Sequence, residues 1–586
     1  FNGGSTTDAA NGTIAIGYAA GTNITTGSGN VAVGYQALDA ATTDDYNTAI
    51  GYQALSGVTG TNDNYNTAVG YQAGLNVTTG IHNTLLGYGA ADSMTVGDYN
   101  TAVGSVAMAQ ITTNDLQGCV AIGYRALLGE TTTSTGANYT IAIGQSALEN
   151  LTTGASNIAI GYRALIGHTT GNRNIVIGYN AMSGTSANDC PTSNDNIFIG
   201  QTAGGGSWTT DDSNYNVGIG SFVLGGAMNG ALGNTAVGHQ ALNDLTTGDN
   251  NVAVGYRAGD AITTSSYNTL VGDGAGGALT GGDGQNVIVG RGAGDSATTA
   301  MAKCVYIGHD AGGQMDAGGF NTAVGFASME GASTGNDAAY NTALGFQSLL
   351  AITDGDYNVA VGSDSGKFIT TGAGNTFIGT NAGIGITGAK LTGSNNTAVG
   401  KDAGYSLQGA AHSNTVIGKN AGQVTTTGVE NTALGYACDF QDATATNQIV
   451  IGNNVTGTAD NAVHIGNDTS HIRCDFNSDQ TWDASSDKRQ KKDIKESELG
   501  LAFINDLKPS KYRHKSPSEF PEEWKAHNPD DKEPMGGSDK YYYGFIAQEV
   551  KESIDKHDAS DYGAWNVEDD GRQRVSREQF VVSLVK

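Results

Sequence analysis

The chain has 586 residues, 88 of them Gly, with 15% charged residues and a formal net charge of −28. That acidity repels nucleic acid and anionic membrane surfaces, so neither is expected as a partner. Gly stands at about twice its usual share, but no unbroken Gly-X-Y triplet makes a collagen and no apolar run reaches the roughly 18 residues of a membrane span. The five scattered cysteines (Cys119, Cys190, Cys304, Cys438 and Cys474) include no CxxC pair, so no metal or other cofactor is expected.

The first long stretch is a repeat array. Its unit reads Asn-Thr-Ala-Val-Gly-Tyr-Gln-Ala, as from Asn47 to Ala54 and, with small variations, throughout. Taking the Gly as marker there are 26 copies between Gly17 and Gly466, 13 of the 25 spacings are 17 residues, and Asn stands four residues before the Gly in 20 copies. A recurring period of this size is the signature of a stacked repeat fold. Within each unit, β-branched or aliphatic residues alternate with small ones (Thr48 and Ile50 against Ala49 and Gly51). Period-2 alternation predicts a short strand whose β-branched face packs a core and whose small face admits close backbone approach. The Ala three residues after the Gly (Ala54, Ala73, Ala126) predicts a second short strand. Turn-rich segments such as Thr152 to Gly154 separate the units and absorb the length variation.

No such unit can bury its own face, so the coils must stack as a parallel β-solenoid, about 120 Å long at about 4.8 Å per coil. Stacking would align the Asn side chains into an amide ladder that satisfies turn backbone groups. Cys119 and Cys304 occupy that Asn position, which reads as small buried filling. Tyr residues before the Asn (Tyr46, Tyr65, Tyr99, Tyr215, Tyr267, Tyr357) pack on neighbouring coils or form a sugar-stacking stripe. The pattern resembles the head repeats of trimeric autotransporter adhesins, which implies a left-handed roll and a trimer. A 14-residue spacing, that family's shortest coil, occurs here only between Gly452 and Gly466.

Composition changes near residue 485. The last 101 residues hold 18 of the 29 basic and 21 of the 57 acidic residues and five of the six Pro, but only six Gly. The expected organisation is a solenoid over 1–466, a linker over 467–485 and a small α+β domain over 486–586. In that domain the pattern predicts a helix from about Glu496 to Leu507, ended by Pro509. Strands are expected near Ser510 to His514 and Tyr541 to Phe545, then a helix from Ala547 toward Lys556. An amphipathic helix around Phe580 to Val585 follows.

Two motifs in order, Ser-Asp-x-Arg-x-Lys (Ser486, Asp487, Arg489, Lys491) and Gly-Phe-Ile-Ala-Gln-Glu-Val (Gly544 to Val550), make this region resemble the peptidase S74 family. These are the intramolecular chaperone and self-cleaving domains of phage tailspikes and tail fibres. The resemblance implies that Ser486 is the nucleophile, Lys491 its base, and Ser485–Ser486 the scissile bond. It also implies a coiled coil beyond Lys586, so that the domain reads as cut short there. A Ser hydroxyl needs a base to take its proton. A Lys serves only if desolvation or nearby positive charge lowers its pKa from about 10.4 toward neutrality. Lys488, Arg489 and Lys492 supply such charge in sequence. Asp487, Arg489, Gln548 and Glu549 are candidate supporting residues.

The expectation is therefore a homotrimeric fibrous virion appendage, extracellular once released from the host cytoplasm where it is made. Its partners would be other copies of itself, other virion tail proteins, and a host cell-surface receptor such as a glycan. Its only chemistry would be single-turnover autoproteolysis. A bacterial surface adhesin with the same rod, or a tailspike degrading polysaccharide, are the alternatives.

Overall fold

The computed structural model describes residues 12–60, 63–112, 116–129, 136–184, 192–208, 211–296, 301–331, 336–476, 482–484, 488, 491–522, 524, 526–534, 541–568, 571–577 and 579–585. The chain divides into two compact units, Phe1–Ala484 and Ser485–Lys586.

The first unit is a parallel β-solenoid. Among the described residues 26 strands, from Ile14–Ile16 to Ala462–Asn467, each donate one rung to a single sheet. Strands of consecutive repeats pair in parallel and in register: Ile14 lies beside Val31 and Val31 beside Thr48, and the same position-for-position match runs on to Ile449 beside Val463. Register holds because every coil offers the same backbone donors and acceptors to the next.

The strand faces are the reverse of the expected assignment. The small middle residue points inward: Ala32, Ala49 and Ala253 are fully buried, while Ile16 is 60% and Val254 39% exposed. The reason is the narrowness of the coil. Across the interior from many strands lie a second Ala and a larger apolar residue, such as Ala54 and Leu55, both fully buried. An Ala-sized group then fills what remains at crystal-like density. Where the inward residue is large, its neighbours shrink. Phe198 stands beside Gly218 on the next strand, and a Cβ on Gly218 would come 2.7 Å from the Phe198 ring.

The second strand expected around Ala54 is a run of turns. Gln53 and Leu55 adopt left-handed backbone angles (φ 52 and 49), and alternating such residues with ordinary ones contracts the chain. Coil-to-coil bonding continues regardless. The Gln53 N–H donates to Tyr35 O (2.8 Å) and the Leu55 N–H to Ala73 O (3.0 Å).

Two positions explain the repeat's most constant letters, the Gly and the Asn. Gly255 has φ +145, and a Cβ there would collide with the carbonyl oxygen of Gly272 in the next coil. The Asn forms the amide ladder. The Asn47 N–H donates to Oδ1 of Asn30 (2.8 Å), the Asn66 N–H to Oδ1 of Asn47 (3.1 Å), and Nδ2 of Asn66 to Gly80 O (2.7 Å). Each buried amide thus satisfies backbone groups that no sheet reaches. Cys119 and Cys304 keep the ladder going on one side, their N–H groups donating to Oδ1 of Asn100 and Asn286, both at 2.9 Å. Burial pushes the Cys119 thiol up to about 11, which makes it an inert filler.

The stretch read as a linker carries two more strands. His471–Asp475 runs antiparallel to the last solenoid strand, and Trp482–Ala484 antiparallel to His471–Asp475. The direction of the sheet reverses at this end of the solenoid, where the repeat no longer supplies a next coil.

Candidate functional site

Among its described residues the second unit folds around three α-helices: α1 (Leu501–Asp506), α2 (Ala547–Lys556) and α3 (Gln579–Val585). The helix expected from Glu496 starts only at Leu501, because Gly500 holds an extended backbone at its N-cap (φ −135, ψ −151), and it ends at Leu507 ahead of Pro509. Ser510–Tyr512 pairs antiparallel with Tyr542–Gly544. A second hairpin, Trp565–Val567 with Gln573–Val575, was missed by sequence reasoning. Its signal was an Asp-Asp-Gly turn between two alternating segments. The core is small: Leu499, Phe503, Leu507, Val550, Ile554, Ala564 and Phe580.

Polar contacts fix α1 against α2. The Asp506 carboxylate accepts from Lys556 Nζ (2.8 Å) and lies 2.6 Å from His557 Nε2, and the Ser553 hydroxyl donates to Asp506 O (3.1 Å). Hydrogen bonds from Lys556 and then His557 hold the Asp506 carboxyl below its ordinary range. His557 therefore serves the packing of this unit.

A cleft of about 860 Å³ opens beside the second motif. Gly544, Phe545, Ile546, Ala547 and Gln548 form one wall, Tyr512, Phe520 and Trp524 supply aromatic surface, and Arg513, His514, Lys515 and Arg577 are its basic members. Phe545 reaches from this wall to the core, its ring 5.3 Å from Phe580 in edge contact. Arg513 is braced by Tyr541, donating to its hydroxyl (2.7 Å) with the guanidinium 4.4 Å over the ring. Gln548 is exposed to the cleft. Glu549, in the first turn of α2, where its charge suits the helix dipole, buries Oε2 without a hydrogen-bond partner among the described residues.

The first motif is only partly described. Lys491 is exposed, and its N–H donates to Lys488 O (3.1 Å). Ser485, Ser486, Asp487 and Arg489 lie outside the described residues, so the geometry of Ser486 with Lys491 is not given by this fold. The motif itself was legible in the sequence, whereas the cleft beside the second motif was not.

On the solenoid, several of the tyrosines form stacked columns, though Tyr215 and Tyr267 stand exposed outside them. Tyr46, Tyr65, His82 and Tyr99 follow one another at 5.0–5.1 Å between ring centroids, and Tyr18, Tyr35, Tyr52, Tyr71 and Tyr88 at 5.0–5.2 Å. Inside a column each ring face covers the next, leaving edges and hydroxyls outward. A sugar ring could stack only on an end ring. Among the described residues no three His, Cys, Asp or Glu side chains converge as a metal site, and no helix is long and apolar enough to cross a membrane.

Compared with known families, residues 486–558 match the peptidase S74 model, described as chaperone of endosialidase. The C-terminal unit carries a peptidase S74 chaperone domain. The match takes in both motifs, α1 and α2, and stops short of the Trp565 hairpin and α3. No curated protein and no solved structure matches the chain.

Proposed function

We propose that the chain is a trimeric fibre of a phage particle, a tail fibre or similar appendage, that attaches the virion to a host cell-surface receptor. Its S74 domain directs trimer folding and then cuts itself free. The observation that carries this reading is the junction. An S74 chaperone domain begins at Ser486, directly after the solenoid unit ends at Ala484. Near-identical coils can slip by a whole repeat and still pair their strands, so three such chains need a device that sets register before the sheet zips up. The left-handed, trimeric roll implied by the autotransporter resemblance belongs to the same proposal.

In the cut, Lys491 Nζ takes the Ser486 hydroxyl proton and Oγ attacks the carbonyl carbon of Ser485. The peptide C–N bond breaks, the Ser486 nitrogen leaves as an amine with that proton, and water hydrolyses the resulting ester. Lys491 is exposed in the single chain. The desolvation that a base lysine needs would then come from assembly, which ties cleavage to correct folding.

The test is intact mass and oligomeric state of the chain, expressed in its full-length gene context, beside Ser486→Ala. The expected result is a wild-type cut between Ser485 and Ser486, absent in the mutant, with both trimeric. Two full-length trimers would overturn the cleavage assignment and leave a permanent cap. Monomers would overturn the fibre.

A further inference from the structure

The inverted strand faces leave the solenoid with an unusual exterior. Each of the 26 strands places two side chains at the positions of Thr48 and Ile50, and all of them but Val463 are at least partly exposed. The second of these is Ile, Val or Leu in every strand, from Ile16 to Ile465, and the first is Val, Ile or Thr in every strand. Neither lane contains a single charged residue, although the chain carries 57 acidic and 29 basic ones. These side chains are solvent-facing, with Ile50 at 38%, Val252 at 38% and Ile417 at 38% exposure.

Three-residue strands about 10 Å wide, stacked at about 4.8 Å, make a strip of roughly 1,200 Å², uncharged throughout and aliphatic except for the 12 Thr of its first lane. The largest apolar patch on a typical monomer is about 300–600 Å², whereas each side of a stable protein interface buries about 800 Å². A strip of this size left in water would drive association or aggregation.

We infer that this strand face is where copies of this chain pack against one another, an inference that rests on the trimeric fibre reading and names the surface that builds it. The occupant is a second copy because of what the strip demands. A partner must be apolar along the same length and repeat its side chains at the same rise. Within this sequence only the same face of another copy does so, and it arrives with matching coil lengths in matching order. Coils of 14 to 22 residues all present strand at the same three repeat positions, extended to five and six residues only in the last two of the 26 strands. Their extra residues fall in the turn segments between strands, so irregular insertions never interrupt the strip. The strand position thus keeps the constancy of a packing surface while the turns vary.

The experiment uses the full chain with a single Cys placed by Ile160→Cys on the strip or by Asp244→Cys on an exposed turn. Thiol labelling of the native particle is followed by maleimide mass shift, with oligomeric state measured on the same sample by light scattering. Ile to Cys is a mild change, and Cys119, Cys304 and Cys438 are buried, with the parent chain as the background control. The expected result is a trimer in which Cys at 160 labels at least tenfold more slowly than Cys at 244, the difference vanishing on denaturation. A trimer in which both label equally would overturn this interface and leave the fibre reading standing. A monomer with freely labelled Cys at 160 would overturn both. A second pair of variants, Ile160→Lys with Ile177→Lys, separates packing from simple burial. Dissociation into folded monomers supports the interface, and an unchanged trimer overturns it.

Discussion

The solenoid and the S74 domain solve the same problem, burial of apolar surface, in opposite ways. In the solenoid every coil is the template for the next: the Gly, the Asn and the inward Ala recur, and each residue's partner stands one repeat away. In the S74 domain six other buried side chains from separate segments pack around Phe503, whose ring meets His557, Tyr562 and Phe580 at 5.7, 5.5 and 6.1 Å. The repetitive unit tolerates length variation in its turns but keeps a strand and its Gly in every coil. The small domain depends on a few residues, each used once. Repetition gives strength without specifying where a strand pairs, so register is the weakness of the first unit and the service that the second would provide.

The sharpest way to break the comparison is Gly255→Val. The new Cβ would collide with Gly272 O in a backbone conformation that L side chains rarely adopt. We expect a loss of more than about 4 kcal/mol, seen as protease cleavage at the central coils while the S74 domain keeps its helical circular dichroism. The reverse experiment is Phe503→Ala, expected to cost about 3–5 kcal/mol and to melt the S74 helices in the folded chain while the coils stay protease-resistant. If either substitution unfolded both units together, the two would be one cooperative body.

A third test uses pH. His168 stands where other coils carry Leu151 or Leu245, fully buried, with Nε2 3.3 Å from Asn174 Nδ2 and Nδ1 without a partner. Desolvation lowers its pKa from 6.5 to about 4. The unfolded chain therefore binds a proton that the coil refuses. The stability associated with the neutral ring is complete above pH 6.5 and falls by up to about 3 kcal/mol as pH drops to 4. The difference in urea midpoint between the wild type and His168→Leu should grow over that window and be flat above it. The mildest test is Asn251→Ala in the amide ladder. It removes the acceptor for the Asn268 N–H (3.0 Å) and the donor to Ser265 O (2.9 Å), at an expected cost of about 1–3 kcal/mol in thermal unfolding of the solenoid.

Much of this was legible from the residues. In the S74 domain α2 runs over Ala547–Lys556, where the pattern placed it, because an amphipathic run with an acidic first turn and a basic last turn needs no distant information. The Trp565 hairpin was not found: its three-residue strands alternate only briefly, and the Asp-Asp-Gly signal between them went unused. The cleft could not be read either. Its walls come from four separated segments that only the packed domain brings together.

The solenoid draws the same boundary more cleanly. The sequence alone determined the period, the register and the roles of Gly and Asn, because each is a relation between a residue and its own copy in the next coil. Alternation also determined that strand residues fall on two faces, but not which face is inside. Only the closed coil decided that. Its interior, already shared with residues such as Ala54, Leu55 and the ladder amides, has room for Ala and seldom for Ile, so the small residues turn in and the β-branched ones are left outside.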